Sequence, residues 1–261
     1  MKSGVDIIIE ARSGSSRLPK KILRLINGKP MLYWQIKRLK LCRLVNKIII
    51  ATTHLPEDDP VAALACKAGV DFYRGSPDDV LGRVHDTAKE YGTEIIVEIT
   101  GDNPLSDPSI VDDCINQFLS KSNNIDLMAT DLGWYNDAFL KEYPIGISVK
   151  IFSFDFLSNL NKKAKLELDR EHVINYAMQN SEEYKIEPFY YPFDKKHEIR
   201  LTVDYEEDFE LITSIFTNFK EAETEFGLQD IFTLYMQQQD LFSINKGLLN
   251  GISFFHEIIM T

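Results

Sequence analysis

The sequence predicts an α/β fold in which a mostly parallel β-sheet is covered by helices on both faces. Short apolar runs, typical of buried strands, alternate along the chain with segments of helical periodicity. The 261 residues suffice for one large domain with its own core, and no linker or internal repeat divides them. In such sheets ligands bind at the carboxyl ends of the strands, so we expect functional residues directly after strands.

The predicted elements follow one another in a regular order. Gly69 and Gly92 end two helices, and Pro108 opens another near its first turn. The predicted strands are residues 5–10, 47–51, 71–75, 94–100, 126–130, 147–152 and 198–203. The predicted helices are residues 30–43, 59–68 and 78–91, one from Pro108, one over 205–219, and further helical structure within 205–261. Residues 131–144 are aromatic and polar, and we expect a lid or a dimer arm there.

Composition excludes several classes of protein. Hydrophobic residues make up 44% and charged residues 26%, which excludes a disordered chain, a collagen and a disulfide-rich miniprotein. No apolar stretch reaches the ~18 residues of a membrane span, and the N-terminus lacks the pattern of a signal peptide. The three cysteines form no CxxC pair. We therefore expect a cytoplasmic protein with reduced thiols and no membrane partner.

The charge is unevenly distributed. The formal net charge is −11, but residues 1–50 carry twelve basic and two acidic side chains, so the remainder carries −21. An acidic body disfavours general binding to nucleic acid, whereas the basic N-terminal segment indicates one localised anion site. For Lys37, Arg38, Lys40 and Arg43 we favour the plainer interpretation, in which they mostly solvate one helix face.

The loop after the first predicted strand, residues 10–23, is the most informative stretch. It lacks the GxGxxG and GxxxxGK[ST] patterns of dinucleotide sites and P-loops. Small residues at 13–16 let backbone N–H groups approach an anion, and Arg12, Arg17 and Lys21 add fixed positive charge. We predict that this loop binds a triphosphate. The alternative is a surface loop with incidental charges.

Several motifs carry a family resemblance. Ala11-Arg12-x-Gly14-Ser15-Ser16-Arg17-Leu18-Pro19-x-Lys21 resembles the signature of the SpsF-like cytidylyltransferase family and, more distantly, of the CMP-Kdo and CMP-sialic acid synthetases. Further matching motifs follow in order at residues 28–32, 51–53, 74–83, 100–105, 143–146, 170–173, 200–204 and 244–245. The resemblance spans nearly the whole chain. It implies a single domain over 1–261 with the Rossmann-like nucleotide-diphospho-sugar transferase fold.

The resemblance also implies residue roles. Arg12, Arg17 and Lys21 would stabilise the reacting phosphates, and Asp102 and Asp204 would hold Mg²⁺. Alone, Asp102 could serve a turn and Asp204 a helix cap. The implied nucleotide-binding residues are Ala11, Arg12, Ser13, Gly14, Ser15, Ser16, Arg17, Lys21, Arg74, Ser76, Asp79 and Arg83. The implied acceptor-binding residues are Arg170 and His172, and we add Lys150 because of its departure from the family pattern.

Two of these assignments have equally simple structural alternatives. Asp79 could cap a helix and pair with Arg83, four residues further on. A lone histidine such as His172 is often structural, although its pKa suits acid–base chemistry.

Five positions depart from the family pattern. Glu10 stands where Gln is usual, Glu98 where Arg is frequent, and Asn103 where Cys is common. Ser148 and Lys150 replace two acids near the expected acceptor pocket. Loss of two negative charges and gain of a positive one suggest a more anionic acceptor, carrying a phosphate or phosphonate. Lys150 could equally be a strand-edge lysine.

The resulting functional prediction is a CTP-dependent cytidylyltransferase. An acceptor oxygen attacks the α-phosphate with help from Mg²⁺, pyrophosphate leaves, and the CMP-activated product serves surface polysaccharide or capsule synthesis. The expected partners are CTP, an anionic small molecule and a second copy of the chain. The alternatives are use of another nucleoside triphosphate, a non-catalytic scaffold, or a glycosyltransferase using a nucleotide sugar. The last is disfavoured because the sequence has no Asp-x-Asp.

Overall fold

A seven-stranded sheet forms the centre of the molecule. The computed structural model describes residues 4–121, 124–132, 144–190, 199–220 and 223–252, so the predicted lid or dimer arm at 131–144 lies mostly outside the described residues. The strands are β1 Val5–Glu10, β2 Leu25–Ile26, β3 Lys29–Pro30, β4 Lys47–Thr53, β5 Asp71–Gly75, β6 Ile95–Thr100, β7 Leu127–Ala129, β8 Lys150–Ser153 and β9 Ile186–Pro188.

Nine α-helices lie within the described residues. They are α1 Met31–Leu39, α2 Asp59–Ala68, α3 Val80–Tyr91, α4 Pro108–Lys121, α5 Phe154–Lys163, α6 Glu167–Glu171, α7 Asn175–Gln179, α8 Glu206–Asn218 and α9 Leu228–Gln237. Short 3-10 helices include Lys21–Leu23 and Lys246–Ile252. The predicted helical character of 205–261 therefore holds as far as residue 252.

The sheet order is β5-β4-β1-β6-β8-β7-β9, and β2 and β3 form a separate small hairpin. The strands of the large sheet are parallel except β8, which runs antiparallel to β6 and β7. This arrangement confirms the predicted mostly parallel α/β sheet. Because β1, β4 and β6 are parallel neighbours, their carboxyl ends reach the same edge.

Two apolar layers cover the sheet. In β1, Ile7 and Ile9 pack toward α1, α2, α4, α8 and α9, whereas Ile8 packs on the opposite face toward α3, α5 and α7. This alternation follows from the two-residue period of a strand. Both faces of β1 are buried, which is why its sequence is a continuous apolar run rather than an alternating one.

Two predictions about local structure are wrong. Residues 199–203 form no strand, and only Arg200 makes an isolated bridge, to Ile145. The reason is that their backbone groups bond to loops: Val203 N–H donates to Asp102 O, and the Val203 carbonyl accepts from Lys21. The strand predicted over 147–152 begins only at Lys150.

Arg38 is also not the solvated residue that the charge pattern suggested. It is fully buried, and its guanidinium donates to Ser106 O at 3.1 Å and Thr224 O at 3.3 Å. It also lies over the Phe226 ring, 4.3 Å from the ring centroid. Burial lowers the pKa of Arg38 to about 10, but the side chain remains charged at neutral pH.

Candidate active site

A cavity of about 350 Å³ opens where β1 and β6 end. Its walls come from the loops after these two strands, the start of α3 and the segment after α6. This is the edge at which parallel α/β sheets bind ligands. The predicted site residues that line the cavity are Ala11, Arg12, Gly14, Ser15, Ser16, Arg17, Lys21, Arg83, Asp102, His172 and Asp204.

Ser13 anchors the loop after β1. Its backbone N–H donates to Asp58 Oδ1 at 2.6 Å, and its hydroxyl donates to Glu57 O at 3.1 Å. Ser13 is therefore buried against the segment before α2 and is not part of the cavity lining. Lys20, with φ 56° and ψ 26°, then turns the chain into the short helix that carries Lys21.

Lys21 brings the two predicted metal ligands together. Its ammonium donates to Val203 O at 2.7 Å, to Asp204 Oδ1 at 2.9 Å and to Asp102 Oδ2 at 3.1 Å. Burial alone would lower the pKa of Lys21, but the two carboxylates outweigh burial and raise it. Burial likewise opposes ionisation of Asp204, yet Lys21, Arg17 and Arg200 lower its pKa. Lys21 and Asp204 are therefore both held in their charged forms.

The two aspartates are positioned by different local structures. Asp102 lies in the turn after β6, where the Thr100 hydroxyl donates to Asp102 Oδ1 at 2.6 Å. The preceding Gly101 passes so close to β1 that a Cβ there would lie 2.9 Å from Glu10 O. Asp204 does not cap α8, because Tyr205 occupies the cap position. Its carboxylate instead accepts hydrogen bonds from Lys21, Arg17 and Arg200.

The strand-turn-helix passage after β5 has mainly intramolecular partners. Arg74 donates to Thr53 O and Leu55 O, each at 2.8 Å, and so holds the turn before α2. Arg83 donates to Ser76 O at 2.5 Å. Among these residues only Arg83 lines the cavity; Arg74 and Ser76 do not.

Asp79 is a helix cap. It accepts from Gly82 N at 2.7 Å, which satisfies a free N–H at the start of α3. Its ion-pair partner is Arg170, at 2.5 Å, rather than the predicted Arg83. The structure thus brings Asp79 and Arg170 together outside the cavity lining.

Lys150 lies in a buried polar cluster beside the cavity. Glu98 and Lys150 are direct partners across β6 and β8, and Lys150 Nζ lies 3.0 Å from Glu98 Oε2. Asp131 Oδ2 is 3.8 Å from the same nitrogen and accepts from the Ser148 hydroxyl at 2.6 Å. Glu98 and Lys150, which both depart from the family pattern, therefore form an ion pair with each other. The positive charge at position 150 is matched by Glu98, which removes the main argument for a phosphate-bearing acceptor.

Glu10 and His172 connect this cluster to the cavity, and both line it. Burial, followed by the Glu98 carboxylate, raises the pKa of Glu10 well above its ordinary value. Burial also lowers the pKa of His172, so its imidazole is mainly uncharged at neutral pH. This wall of the cavity consequently offers a carboxyl group with a raised pKa and a mainly neutral imidazole.

Comparison with known proteins identifies the chain. The cytidylyltransferase family matches residues 7–247. The chain belongs to this family. A cytidylyltransferase structure from Leptospira borgpetersenii is 31% identical, with a TM-score of 0.84, over 92% of this chain and 96% of that one. This cytidylyltransferase is thus a nucleotidyltransferase that transfers CMP from CTP.

Two curated relatives cover most of the cytidylyltransferase. An uncharacterised protein of Methanocaldococcus jannaschii is 36% identical over 215 residues, covering 81% of this chain and 83% of that protein. The spore coat polysaccharide biosynthesis protein SpsF of Bacillus subtilis is 26% identical over 239 residues, covering 89% and 94%. The match to SpsF agrees with the resemblance drawn from the motifs. In the described parts of the chain, no helix has the length and apolar character needed to cross a membrane.

Sequence reasoning missed three residues of the cytidylyltransferase site. Glu10 was noted only as a departure from the pattern, although it lines the cavity beside Arg12. Arg200 and Asp208 stand four residues before and after Asp204, and both are buried next to it. That spacing was the available signal, but its geometry depends on a turn that the strand prediction did not contain.

Proposed function

We propose that the enzyme transfers CMP from CTP to an oxygen of a small sugar acid, giving a CMP-activated precursor for surface polysaccharide or capsule synthesis. The observation that carries this proposal is the convergence of Lys21, Asp102 and Asp204 at the end of the loop after β1. The match to a polysaccharide biosynthesis protein over most of the chain supports the product class.

In this proposal the loop after β1 binds the triphosphate. Gly14 and Ser16 are small enough for their backbone N–H groups to approach phosphate oxygens, whereas the Ser15 N–H donates to Ser13 O at 2.9 Å. Arg17 and Lys21 supply charge from one side, and Arg12, 3.7 Å from Glu171 and hydrogen-bonded to Pro77 O, supplies it from the other. These donors stabilise the charge that develops on the α-phosphate and on the departing pyrophosphate.

The carboxylates next to Lys21 fit Mg²⁺. Asp102 Oδ2, Asp204 Oδ1 and Val203 O all lie within 3.1 Å of the Lys21 ammonium nitrogen, an arrangement that supports binding of one cation between these oxygens. Mg²⁺ binds through one or two carboxylates together with phosphate oxygens and water. The two aspartates would hold the ion, which would neutralise charge on the bound phosphates.

We place the acceptor next to His172 and Glu10, which both line the cavity. A sugar acid carries many hydroxyl groups, and an imidazole and a carboxyl group can both exchange hydrogen bonds with them. The ion pair between Lys150 and Glu98 backs this wall without adding net charge. We also propose, from the family resemblance alone, that the enzyme is a homodimer, which size-exclusion chromatography with light scattering tests.

Thermal unfolding tests the nucleotide and the metal. The purified protein is heated with CTP, UTP, GTP, ATP or UDP-glucose, each with and without Mg²⁺. A ligand that binds only the native state raises the unfolding midpoint according to its occupancy. We expect a Mg²⁺-dependent rise with CTP that is larger than with any other ligand. A larger rise of the midpoint with another triphosphate would identify that nucleotide as the donor in place of CTP. A rise only with UDP-glucose would contradict the proposal.

Pyrophosphate release then tests the acceptor. CTP and Mg²⁺ are combined with sugar acids of the octulosonate and nonulosonate classes and with matched sugar phosphates and phosphonates. We expect release with at least one sugar acid. Release only with the phosphorylated compounds would restore the more anionic acceptor that the sequence suggested.

A further inference from the structure

Asp208 is the most completely hydrogen-bonded carboxylate near the site, yet it does not line the cavity. It is fully buried in the first turn of α8. Its Oδ1 accepts from Arg200 Nε at 2.8 Å and Asn245 Nδ2 at 2.8 Å. Its Oδ2 accepts from the backbone N–H groups of Asp204 and Tyr205, at 2.9 and 3.1 Å, and from Arg200 Nη2 at 3.1 Å. Five donors fill both oxygens, so Asp208 is not available to bind a ligand.

Arg200 connects Asp208 to Asp204. The same Nη2 that contacts Asp208 also donates to Asp204 Oδ2 at 2.8 Å. The rigid, planar guanidinium therefore fixes the position of one carboxylate relative to the other. Because Arg200 contacts Asp204 Oδ2, the remaining oxygen, Oδ1, faces Lys21 and Arg17 at the cavity.

Asn245 joins the C-terminal part of the chain to the same network. It lies between the 3-10 helices Leu241–Ser243 and Lys246–Ile252, and only 2% of it is exposed. Its amide donates to Arg200 O at 3.0 Å and to Asp208 Oδ1. One side chain thus contacts both the backbone of Arg200 and the carboxylate that Arg200 binds.

We propose that Arg200, Asp208 and Asn245, here termed the Asp204 support, are positioning residues that aim Asp204 Oδ1 at the bound cation. This inference rests on the proposed role of Asp204 as a metal ligand. Partners that orient a metal ligand commonly change metal affinity by about 10–100-fold when they are removed. The Asp204 support therefore sets metal affinity from buried positions that touch neither metal nor nucleotide.

A purely structural role makes a different prediction. Asp208 also caps α8, so losing the network could weaken the fold without affecting the metal. Metal affinity of the folded variants separates the two roles, because a structural defect lowers the unfolding midpoint but leaves the geometry of Asp204 in the folded molecules unchanged.

The test uses Mn²⁺ as a spectroscopic probe. The dissociation constant of Mn²⁺ is measured by electron paramagnetic resonance with CTP present and no acceptor, for the wild type, Arg200→Lys and Asn245→Ala. Lysine keeps the charge but cannot contact Asp204 and Asp208 through one planar group. Arg24→Lys is the matched control, because Arg24 contacts Glu206 on the same helix through two bonds, at 2.5 and 2.6 Å, without touching Asp204.

We expect Arg200→Lys to raise the Mn²⁺ dissociation constant about tenfold and Asn245→Ala to raise it about threefold, with Arg24→Lys unchanged. The midpoint of thermal unfolding, measured without ligands, verifies that each variant folds. If Arg200→Lys does not fold, the Mn²⁺ dissociation constant of Asn245→Ala decides the test. If the wild type binds Mn²⁺ with CTP and the dissociation constant of every variant lies within twofold of the wild-type value, the role of the Asp204 support is overturned. The proposed function is then unaffected. Failure of the wild type to bind Mn²⁺ with CTP would overturn the metal role and the inference together.

Discussion

The cavity has a nucleotide wall, which we propose binds CTP and Mg²⁺, and an acceptor wall, formed by Glu10 and His172, which we propose binds the acceptor. The charges at these two walls differ in burial and in pairing. On the nucleotide wall, Lys21, Asp102 and Asp204 keep 12%, 28% and 17% of their side chains exposed, and one ammonium serves both carboxylates. Behind the acceptor wall, the side chains of Lys150 and Glu98 keep 6% and 2% exposed. Both clusters contain a lysine between acids, so the difference lies in access to solvent and ligand.

That difference determines what each set of charges can do. Charges that face the cavity can exchange their protein partners for phosphate oxygens or a cation at little desolvation cost. Charges that are buried remain paired, because separating them would leave an uncompensated charge in a poorly solvated environment. The nucleotide wall is therefore suited to binding and catalysis, and the acceptor wall to fixing the shape and hydrogen-bonding character of the pocket.

Lys21→Met should give the largest functional effect. Removing a charged donor from the reacting phosphates is expected to lower kcat/KM for CTP by about 10²–10³-fold. The same change removes the ammonium that competes for Asp102 and Asp204, so Mn²⁺ should bind more tightly when no nucleotide is present. Steady-state kinetics and electron paramagnetic resonance measure the two effects.

Lys20→Met is the control for this variant. Lys20 is exposed and adjacent, so it tests whether loss of any nearby positive charge is sufficient. Equal losses of activity in the two variants, or weaker Mn²⁺ binding in Lys21→Met, would contradict the assigned role of Lys21.

Lys150→Met should give the largest effect on stability. It leaves the Glu98 carboxylate buried without its ammonium partner, and breaking a buried pair in this way costs about 3–5 kcal/mol. Adding Glu98→Gln removes the stranded charge, so the double variant should be more stable than Lys150→Met alone. Urea denaturation measures the free energy of unfolding of both variants. If the effects of the two substitutions add, or if Lys150→Met alone costs less than about 1 kcal/mol, the pair is not energetically coupled.

The nucleotide wall was more predictable from sequence than the acceptor wall, for a physical reason. Ala11 to Lys21 form one contiguous loop after an unmistakable buried strand, so their proximity follows from local structure. Lys150 and Glu98 are 52 residues apart, and their contact depends on the antiparallel pairing of β6 with β8. The sequence therefore revealed two unusual residues without revealing that each compensates the other.

Irregular backbone explains the remaining errors. The run 198–203 has the composition of a strand, but its described residues bond to Asp102, Ile145 and Asn245 in three different loops. Burial of Arg38 depends on carbonyl groups of Ser106 and Thr224, which no local pattern brings together. Such contacts follow from tertiary packing, which periodicity does not report.

Gly146→Ala should have an intermediate effect on the free energy of unfolding. Gly146 has φ +97°, and a Cβ there would lie 2.2 Å from Thr202 N, two residues before Asp204. We expect a loss of about 2–4 kcal/mol of stability from strain and backbone displacement together. Gly28→Ala is the control, because Gly28 has φ +77° with nothing within 4 Å of the added atom. Gly28→Ala should lower the free energy of unfolding by only about 1 kcal/mol. Equal losses in the two variants would exclude the clash between the added Cβ and Thr202 N as the cause.

Glu10→Gln should give the smallest effect, and its pH dependence identifies the group. Because the folded protein raises the pKa of Glu10 above its ordinary value of 4.5, the folded state holds a proton that the unfolded state releases. The free energy of unfolding should therefore fall as pH rises from about 4.5 through the raised pKa, by at most about 1.4 kcal/mol per pH unit. Glutamine keeps the shape and the donor but does not titrate, so this part of the slope should disappear.

Glu206→Gln provides a control of opposite sign. The hydrogen bond from Arg24 lowers the pKa of Glu206, so the stability that this pair contributes is present above the ordinary pKa and lost as pH falls through the lowered one. Its effect should be small because the pair is solvent-exposed. Urea denaturation from about pH 3 to pH 8 compares the two variants with the wild type, because the Glu206 pKa lies below its ordinary value of 4.5 and the Glu10 pKa lies above it. An unchanged slope in Glu10→Gln would mean that Glu10 is ionised, and the acceptor wall would then present a negative charge rather than a neutral donor.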